Sequence, residues 1–370
     1  MSEKENIKIL LAPLNWGLGH ASRIFSLIKE IERQGISTTI AADGNALEFL
    51  KKEFPHLKSI KIPDLKIKYY TKLGAKWSIL LSYNKISKQI KKENKFLQEI
   101  VKKNGKFHII ISDNRYGLHH KDSYNVIISH QHRVVLKGFW KFLSFIPNYK
   151  IKTWLRKFHL CLIPDFQGKN NLSGKLSHPS AHQNTLYTGP LSRFEEKTAS
   201  NIGSEIPIVF SGPDPLKTHL IDKIVGILKE SKHKFVVFGG NPSLKQNYKT
   251  HNINFMWHAE SNQIEKAIDN APLVISTGGY SSIMDIYLKN KKAIFVPFKG
   301  QTEQIYISEH LNSSKLFTFV QWKKLGNLED KIDEILAKNF VPRETNYKPT
   351  QQQLITTIIE NYKNTKCKTY

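Results

Sequence analysis

Cysteine is nearly absent from this 370-residue chain: only Cys161 and Cys367 occur, far apart in sequence. That excludes a disulfide framework and a cysteine zinc site, and it favours a reducing compartment. No apolar run reaches the roughly 18–20 residues needed to span a bilayer. The polar start, Met1-Ser2-Glu3-Lys4-Glu5-Asn6, leads straight into a strand pattern and shows no signal peptide, so a cytoplasmic location is expected. No short-period repeat is visible. Acidic residues are scarce, 31 Asp+Glu against 56 Lys+Arg, for a formal net charge of +25. Such a charge favours anionic partners: phosphorylated substrates, anionic lipid or nucleic acid. No helix-turn-helix, zinc-finger or RNP-like pattern accompanies it, so no specific nucleic acid is expected; a non-enzymatic polyanion binder is the reading that charge alone supports. No His/Cys cluster has metal-ligand spacing, and no Asp-x-Asp triplet ends a strand.

What is present suits about two domains, with 40% hydrophobic residues to fill their cores. Short apolar runs alternate with helical patterns. In the first half, strands are expected at 7–12, 37–42, 58–62, 107–112, 125–129, 160–163 and 186–187. Helices are expected at 21–34, 46–52 and, with a long basic pattern, 79–103. The second half repeats this logic with strands at 207–210, 235–238, 253–257, 273–275, 293–296 and 316–319. Helices are expected at 218–229 and 262–268. Strands separated by helices predict α/β architecture with two doubly wound parallel sheets. A boundary is expected just past Thr188-Gly189-Pro190, giving domains 1–191 and 192–350 and a last helix near 352–362.

Ser276-Thr277-Gly278-Gly279-Tyr280-Ser281-Ser282-Ile283-Met284-Asp285 is the most informative stretch. A strand runs into a glycine pair and then a helix opening with hydroxyl residues. Glycine lets backbone approach a phosphate, and a helix N-terminus adds N–H donors and the positive end of its dipole. Taken alone, a glycine pair after a strand makes an ordinary turn. The next strand, however, ends in a Pro/Gly loop within Val296-Pro297-Phe298-Lys299-Gly300-Gln301-Thr302-Glu303-Gln304, and its Glu303 and Gln304 can read sugar hydroxyls. Together the two loops describe a pocket for a nucleotide-sugar.

This pattern resembles the donor half of GT-B glycosyltransferases, closest to the MurG-like, family 28 UDP-sugar transferases, and more distantly the plant and macrolide UDP-glycosyltransferases. The resemblance implies two Rossmann-like domains facing across a cleft, the N-terminal one binding the acceptor and the C-terminal one the nucleotide-sugar. It also implies that residues 351–370 pack back on the N-terminal domain, and that catalysis needs neither bound metal nor cofactor. Residue by residue, Ser276, Gly278, Gly279 and Ser281 match the phosphate-approach loop. Asp285 stands where relatives have a ribose-binding Glu, and Gln304, with Glu303 beside it, matches a donor-sugar Gln. Ile305 replaces a second Gln. Phe210-Ser211-Gly212-Pro213-Asp214-Pro215 occupies the place of the first Gly-rich donor loop, with Ser211 and Gly212 as diphosphate contacts. Two prolines there remove N–H donors. Backbone from Met256 to His258 falls where relatives hold the base; His258 alternatively binds diphosphate.

The first strand empties into Asn15-Trp16-Gly17-Leu18-Gly19-His20. As a dinucleotide fingerprint this lacks its third spaced glycine. It resembles instead the catalytic His loop of the same transferases, with Asn15, Gly17 and Gly19 forming an acceptor loop. A His with ordinary acidity can take a proton from an acceptor hydroxyl. Asp113, closing the strand at 107–112, is placed to orient that imidazole and stabilise its charged form, as a triad Asp does. The resulting expectation is inverting transfer of a hexose or N-acetylhexosamine from a UDP-sugar to a hydroxyl, on a lipid-linked or cell-surface glycan of the cell envelope. A UDP-sugar 2-epimerase of the same fold is the alternative enzyme reading.

Residues 137–158 carry a further pattern. Phe139, Trp140, Leu143 and Ile146 precede Pro147, and Ile151, Trp154, Leu155 and Phe158 follow at i, i+3, i+4, i+7, interleaved with Lys and Arg. Such a basic amphipathic stretch suits the anionic inner face of the plasma membrane. A helix packing its apolar side on the domain core has the same period.

Overall fold

The computed structural model describes residues 7–16, 18–64, 74–135, 144–196, 203–241, 244, 246–339 and 349–367. The chain divides into two compact units: Met1–Asn15, Arg23–Gly189 and Tyr347–Tyr370 in one, Trp16–Ser22 and Pro190–Asn346 in the other. The expected acceptor-loop residue Gly17 and the 137–143 part of the amphipathic stretch lie outside the described residues.

In the first unit, β1 (Lys8–Pro13), β2 (Ser37–Ala42), β3 (Lys58–Lys61), β4 (Ile109–Asp113), β5 (Tyr124–Ile128), β6 (Leu160–Ile163) and β7 (Thr185–Tyr187) form one parallel sheet. Its order is β3-β2-β1-β4-β5-β6-β7. β1, β4, β5 and β6 are nearly continuous apolar runs, as strands covered on both faces must be. The chain moves outward from β1 to β3 and then crosses to β4 on β1's other side. Loops therefore diverge between β1 and β4, where doubly wound sheets open a crevice at their carboxyl ends.

The helices of this unit are α1 (Gly19–Arg33), whose first turn groups with the second unit, α2 (Gly44–Glu53), α3 (Gly74–Asn104), α4 (Phe145–Leu155) and, at the far end of the chain, α10 (Gln351–Cys367). α10 buries Leu354, Ile355, Ile358, Ile359 and Tyr362 on one stripe, and the Tyr362 ring lies 6.0 Å from that of His108, just before β4.

The amphipathic stretch has a different outcome from the membrane-facing one expected. Ile151, Leu155 and Phe158 are buried with Ile127, Cys161 and Ile163 in one apolar cluster, and Trp154 packs against it. The stripe is therefore a core face, and membrane contact through these residues is corrected. On the opposite side of α4, Phe145 and Tyr149 are 68% and 70% exposed.

The second unit repeats the design. β8 (Glu205–Val209), β9 (Lys234–Phe238), β10 (Tyr248–Lys249), β11 (Ile253–Met256), β12 (Val274–Thr277), β13 (Ala293–Val296) and β14 (Phe317–Phe319) form a sheet ordered β10-β11-β9-β8-β12-β13-β14. All pairings are parallel except that of the two-residue strand β10, absent from the sequence reading, with β11. The reversal of direction falls between β8 and β12.

Between the strands of this sheet lie α5 (Leu216–Leu228), α6 (Ser261–Asp269), α7 (Tyr280–Leu288) and α8 (Thr302–His310), with α9 (Leu328–Ala337) after β14. α5 turns Leu220, Ile221, Ile224 and Leu228 onto the sheet, where they join Ile206, Ile208, Phe235 and Val237. α7 is almost wholly buried, which fixes its N-terminus beside the ends of β12 and β8.

Candidate functional site

In the second unit the loops after β8 and β12 meet at the switch point. Ser211 N donates to Thr277 Oγ1 at 3.3 Å, and Ser211 Oγ lies 2.7 Å from Thr277 Oγ1 and 2.9 Å from Ser282 Oγ. This trio of hydroxyls sits at the mouth of α7, where Gly279 is the N-cap with extended backbone (φ −71°, ψ 142°). Thr277 and Ser282 escaped the sequence reading, although both lie inside the stretch it singled out. Gly278 N donates to Val296 O at 3.2 Å, so β12 and β13 end side by side. Gly212 holds φ +116°, and a Cβ there would lie 2.5 Å from Phe298 Cε2. Only glycine fits both that backbone and that ring. Ser211, Gly212, Gly278 and Gly279 thus come together around hydroxyls and the N-terminal N–H groups of a helix, an arrangement suited to an anion.

Several expected donor contacts have other duties. Ser276, buried in β12, donates its hydroxyl to Val209 O at 2.7 Å, stitching β12 to β8. Ser281 Oγ donates to Gly19 O at 3.1 Å, and Ser22 Oγ donates to the same carbonyl at 3.0 Å. Asp285, expected at a ribose, is buried within α7 and accepts a hydrogen bond from Ser192 Oγ. Burial pushes its pKa up to about 6, while Arg193 and the Ser192 hydroxyl pull it back. One helical turn along α7, Lys289 pairs with Glu265 at 2.6 Å and Asp269 at 2.9 Å. This cluster ties the segment after Pro190 to α6 and α7.

Glu303 and Gln304 belong to the first turn of α8 rather than to the loop that was expected to carry them. Gln301, with extended backbone (φ −81°, ψ 99°), is the N-cap, so the loop is shorter by these residues. Gln304 is buried and its Oε1 accepts from Phe298 N at 2.8 Å, closing the turn after β13.

At the end of β11, Met256 O accepts from Gly239 N at 2.8 Å and Trp257 O accepts from Asn241 N at 2.8 Å. Trp257 N donates to Asn247 Oδ1 at 3.0 Å. The half-buried Trp257 indole meets Phe255 edge-on, ring centres 4.9 Å apart, and His258 follows, also half-buried. The indole is a flat apolar face that the sequence reading passed over in favour of backbone.

In the first unit, Asn15 is bound to the structure around it. Its Oδ1 accepts from Ala46 N and its Nδ2 donates to Asp43 Oδ2, both at 3.3 Å, so it serves the start of α2. Asp43 and Glu93 both pair with the buried Arg115. Asp113 is fully buried at the end of β4, and both of its oxygens accept from Arg23, Nε to Oδ2 at 2.5 Å and Nη2 to Oδ1. Arg23 Nη1 lies 3.1 Å from His130 Nδ1. The guanidinium is a donor only, so that nitrogen of His130 accepts. The pairing was not legible because Arg23 and Asp113 lie 90 positions apart. His20 is half-buried in the first turn of α1.

Among the described residues, no group of three or more His, Cys, Asp or Glu is placed to hold a metal ion. None of the described helices is long and apolar enough to cross a membrane.

Two open parallel sheets, each with its own switch point, define the GT-B class of α/β protein. Solved structures agree across nearly the whole chain. The plant protein UGT89C1 of Arabidopsis thaliana, complexed with UDP, is similar at 11% identity over 96% of this chain and 100% of that one, with a TM-score of 0.66. The spinosyn rhamnosyltransferase SpnG is similar at 13% identity over 96% and 95%, TM-score 0.61. MurG of Acinetobacter baumannii is similar at 13% identity over 96% and 94%, TM-score 0.51. Residues 217–361 match the model of the glycosyltransferase family 28 C-terminal domain. No curated protein matches the chain. Residues 217–361 are thus similar to the family 28 C-terminal domain, and the chain as a whole has the GT-B fold.

Proposed function

We propose that this protein transfers a hexose or N-acetylhexosamine from a UDP-sugar to a hydroxyl acceptor, with inversion and without a metal ion or cofactor. The observation that carries the reading is the hydroxyl trio Ser211, Thr277 and Ser282 at the mouth of α7, on the switch point of the second sheet. There the diphosphate meets Ser211, backbone at Gly212, Gly278 and Gly279, and the α7 dipole, which stabilise the leaving group as negative charge grows on it. The Trp257 face and His258 take the base side, since an aromatic ring stacks on any base. Glu303, in the first turn of α8, serves the sugar. Asp285, Ser276 and Ser281 serve the scaffold. That a similar fold carries UDP in the plant structure supports a nucleoside diphosphate as the ligand.

His20 is the general base: its imidazole removes the acceptor proton as the oxygen attacks the anomeric carbon from the face opposite the diphosphate. Asp113, with both oxygens taken by Arg23, serves the scaffold at the end of β4. The acceptor is a glycan or lipid-linked hydroxyl of the cell envelope, met by a cytoplasmic protein at the inner membrane face. The 151–158 stripe takes no part in that contact. A His20→Ala variant should keep UDP affinity and lose about 100-fold or more in transfer rate. Full transfer by that variant, or a product with the donor's anomeric configuration, would refute the mechanism.

A further inference from the structure

The second unit buries a lysine that the transfer chemistry leaves unused. Lys217, in the first turn of α5, is only 3% exposed. Lysine is almost never buried to that degree unless it is paired, and an apolar residue of similar volume is often no worse for stability. The partners of Lys217 suggest what the charge is for. Its Nζ donates to Gly240 O at 2.8 Å and lies 3.5 Å from Asp214 Oδ2. Asp214 Oδ1 in turn accepts from Thr218 Oγ1 at 2.7 Å. Burial lowers the pKa of the ammonium and Asp214 draws it back up.

These two partners belong to different strand-end loops. Asp214 lies in the loop after β8 that carries Ser211 and Gly212. Gly240 lies in the loop after β9 and holds φ +65°; a Cβ there would fall 2.5 Å from Phe210 O, so the second loop turns directly against the first. The neighbours of Gly240 continue the connection, because Gly239 N donates to Met256 O and Asn241 N donates to Trp257 O, both at 2.8 Å. A single ammonium therefore joins the diphosphate side of the site to its base side.

We propose that Lys217 is a positioning residue that holds the diphosphate loop and the base-side loop in one register, so that a nucleoside diphosphate meets both together. This rests on the glycosyl-transfer reading. The lysine touches neither the sugar nor the acceptor. Its loss removes binding shared by ground state and transition state, which raises KM for the donor more than it lowers kcat.

The test compares Lys217→Met, Lys217→Arg and Asp214→Asn with the wild type by amide hydrogen exchange and by donor kinetics with UDP-sugar. Lys217→Met should speed exchange at Gly239 and Asn241 and raise the donor KM about tenfold or more, as expected for a lost charged hydrogen bond. The acceptor KM should stay unchanged. Lys217→Arg, which keeps the charge, should recover most of both effects. Asp214→Asn, altered at a half-exposed side chain, should move both in the same direction by a smaller factor, and it carries the test if the Met variant does not fold. Wild-type exchange and wild-type donor KM in Lys217→Met, or in Asp214→Asn should the Met variant not fold, would overturn the proposal. So would a KM rise that Lys217→Arg does not recover. Exchange reads the loop coupling without donor. A wild-type protein that binds no nucleoside diphosphate, yet shows the exchange change, would mark the glycosyl-transfer reading as the part that failed.

Discussion

Replacing Asp285 with Asn tests whether the carboxylate beneath α7 belongs to the scaffold. Asp285 is buried with Ser192 as hydrogen-bond donor, and its pKa is pushed from 3.8 up to about 6. The native state therefore binds the proton more tightly than the unfolded chain. Stability from this group is fully present below about pH 4 and is lost as pH rises to about 6, beyond which the loss stays constant. The shift corresponds to roughly 3 kcal/mol, and about half of that develops between pH 5 and pH 8. Asn keeps an oxygen for the Ser192 hydroxyl and has no proton to lose. The stability of Asp285→Asn relative to wild type should therefore improve by about 1.5 kcal/mol from pH 5 to pH 8. Urea denaturation of both proteins at pH 5, 6, 7 and 8 measures this. A difference independent of pH, or one that moves against Asn as pH rises, would refute the reasoning. Preserved UDP affinity in the variant would agree with the scaffold role, whereas a large loss would return Asp285 to the ribose.

Two further substitutions probe the switch points. Gly212→Ala puts a Cβ against Phe298 at a backbone angle that L-residues avoid. It should cost about 1–3 kcal/mol in thermal or urea unfolding and weaken UDP binding, because Ser211 moves with the loop. Arg23→Met strands the buried Asp113 carboxylate without its guanidinium and should cost about 3–5 kcal/mol. The double variant Arg23→Met, Asp113→Leu should recover much of that loss, and a double-mutant cycle by chemical denaturation measures the coupling.

Much of the architecture was legible because parallel strands buried on both faces must be apolar runs and the loops between them must carry small and polar residues. The strand at 37–42 and those at 160–163 and 293–296 are read to the residue, since Gly35 and Asp43, His159 and Pro164, and Lys292 and Pro297 punctuate them. The start of α8 was missed because Gln301 offers no side-chain cap, leaving Glu303 and Gln304 to read as loop. The 151–158 stripe was ambiguous in principle, for periodicity records an apolar face and not what covers it. Side-chain assignments failed where a distant partner decides them. Nothing local to Ser276 points to Val209, nothing in α7 points to Ser192, and Asp113 carries no sign of Arg23. Ser211 and Gly278-Gly279 stand at the strand ends and helix start expected of them because that placement is local: a strand end, a glycine and the first turn of a helix.

The central claim is that the switch point of the second sheet receives a nucleoside diphosphate. Hydrogen exchange of the protein with and without saturating UDP, alongside calorimetric titration, tests it most directly. The account predicts heat on binding UDP and slowed exchange confined to Ser211, Gly212 and residues 256–258 and 278–282. No binding of UDP, GDP or TDP, or protection that spares Ser211, Gly212 and 278–282, would contradict it.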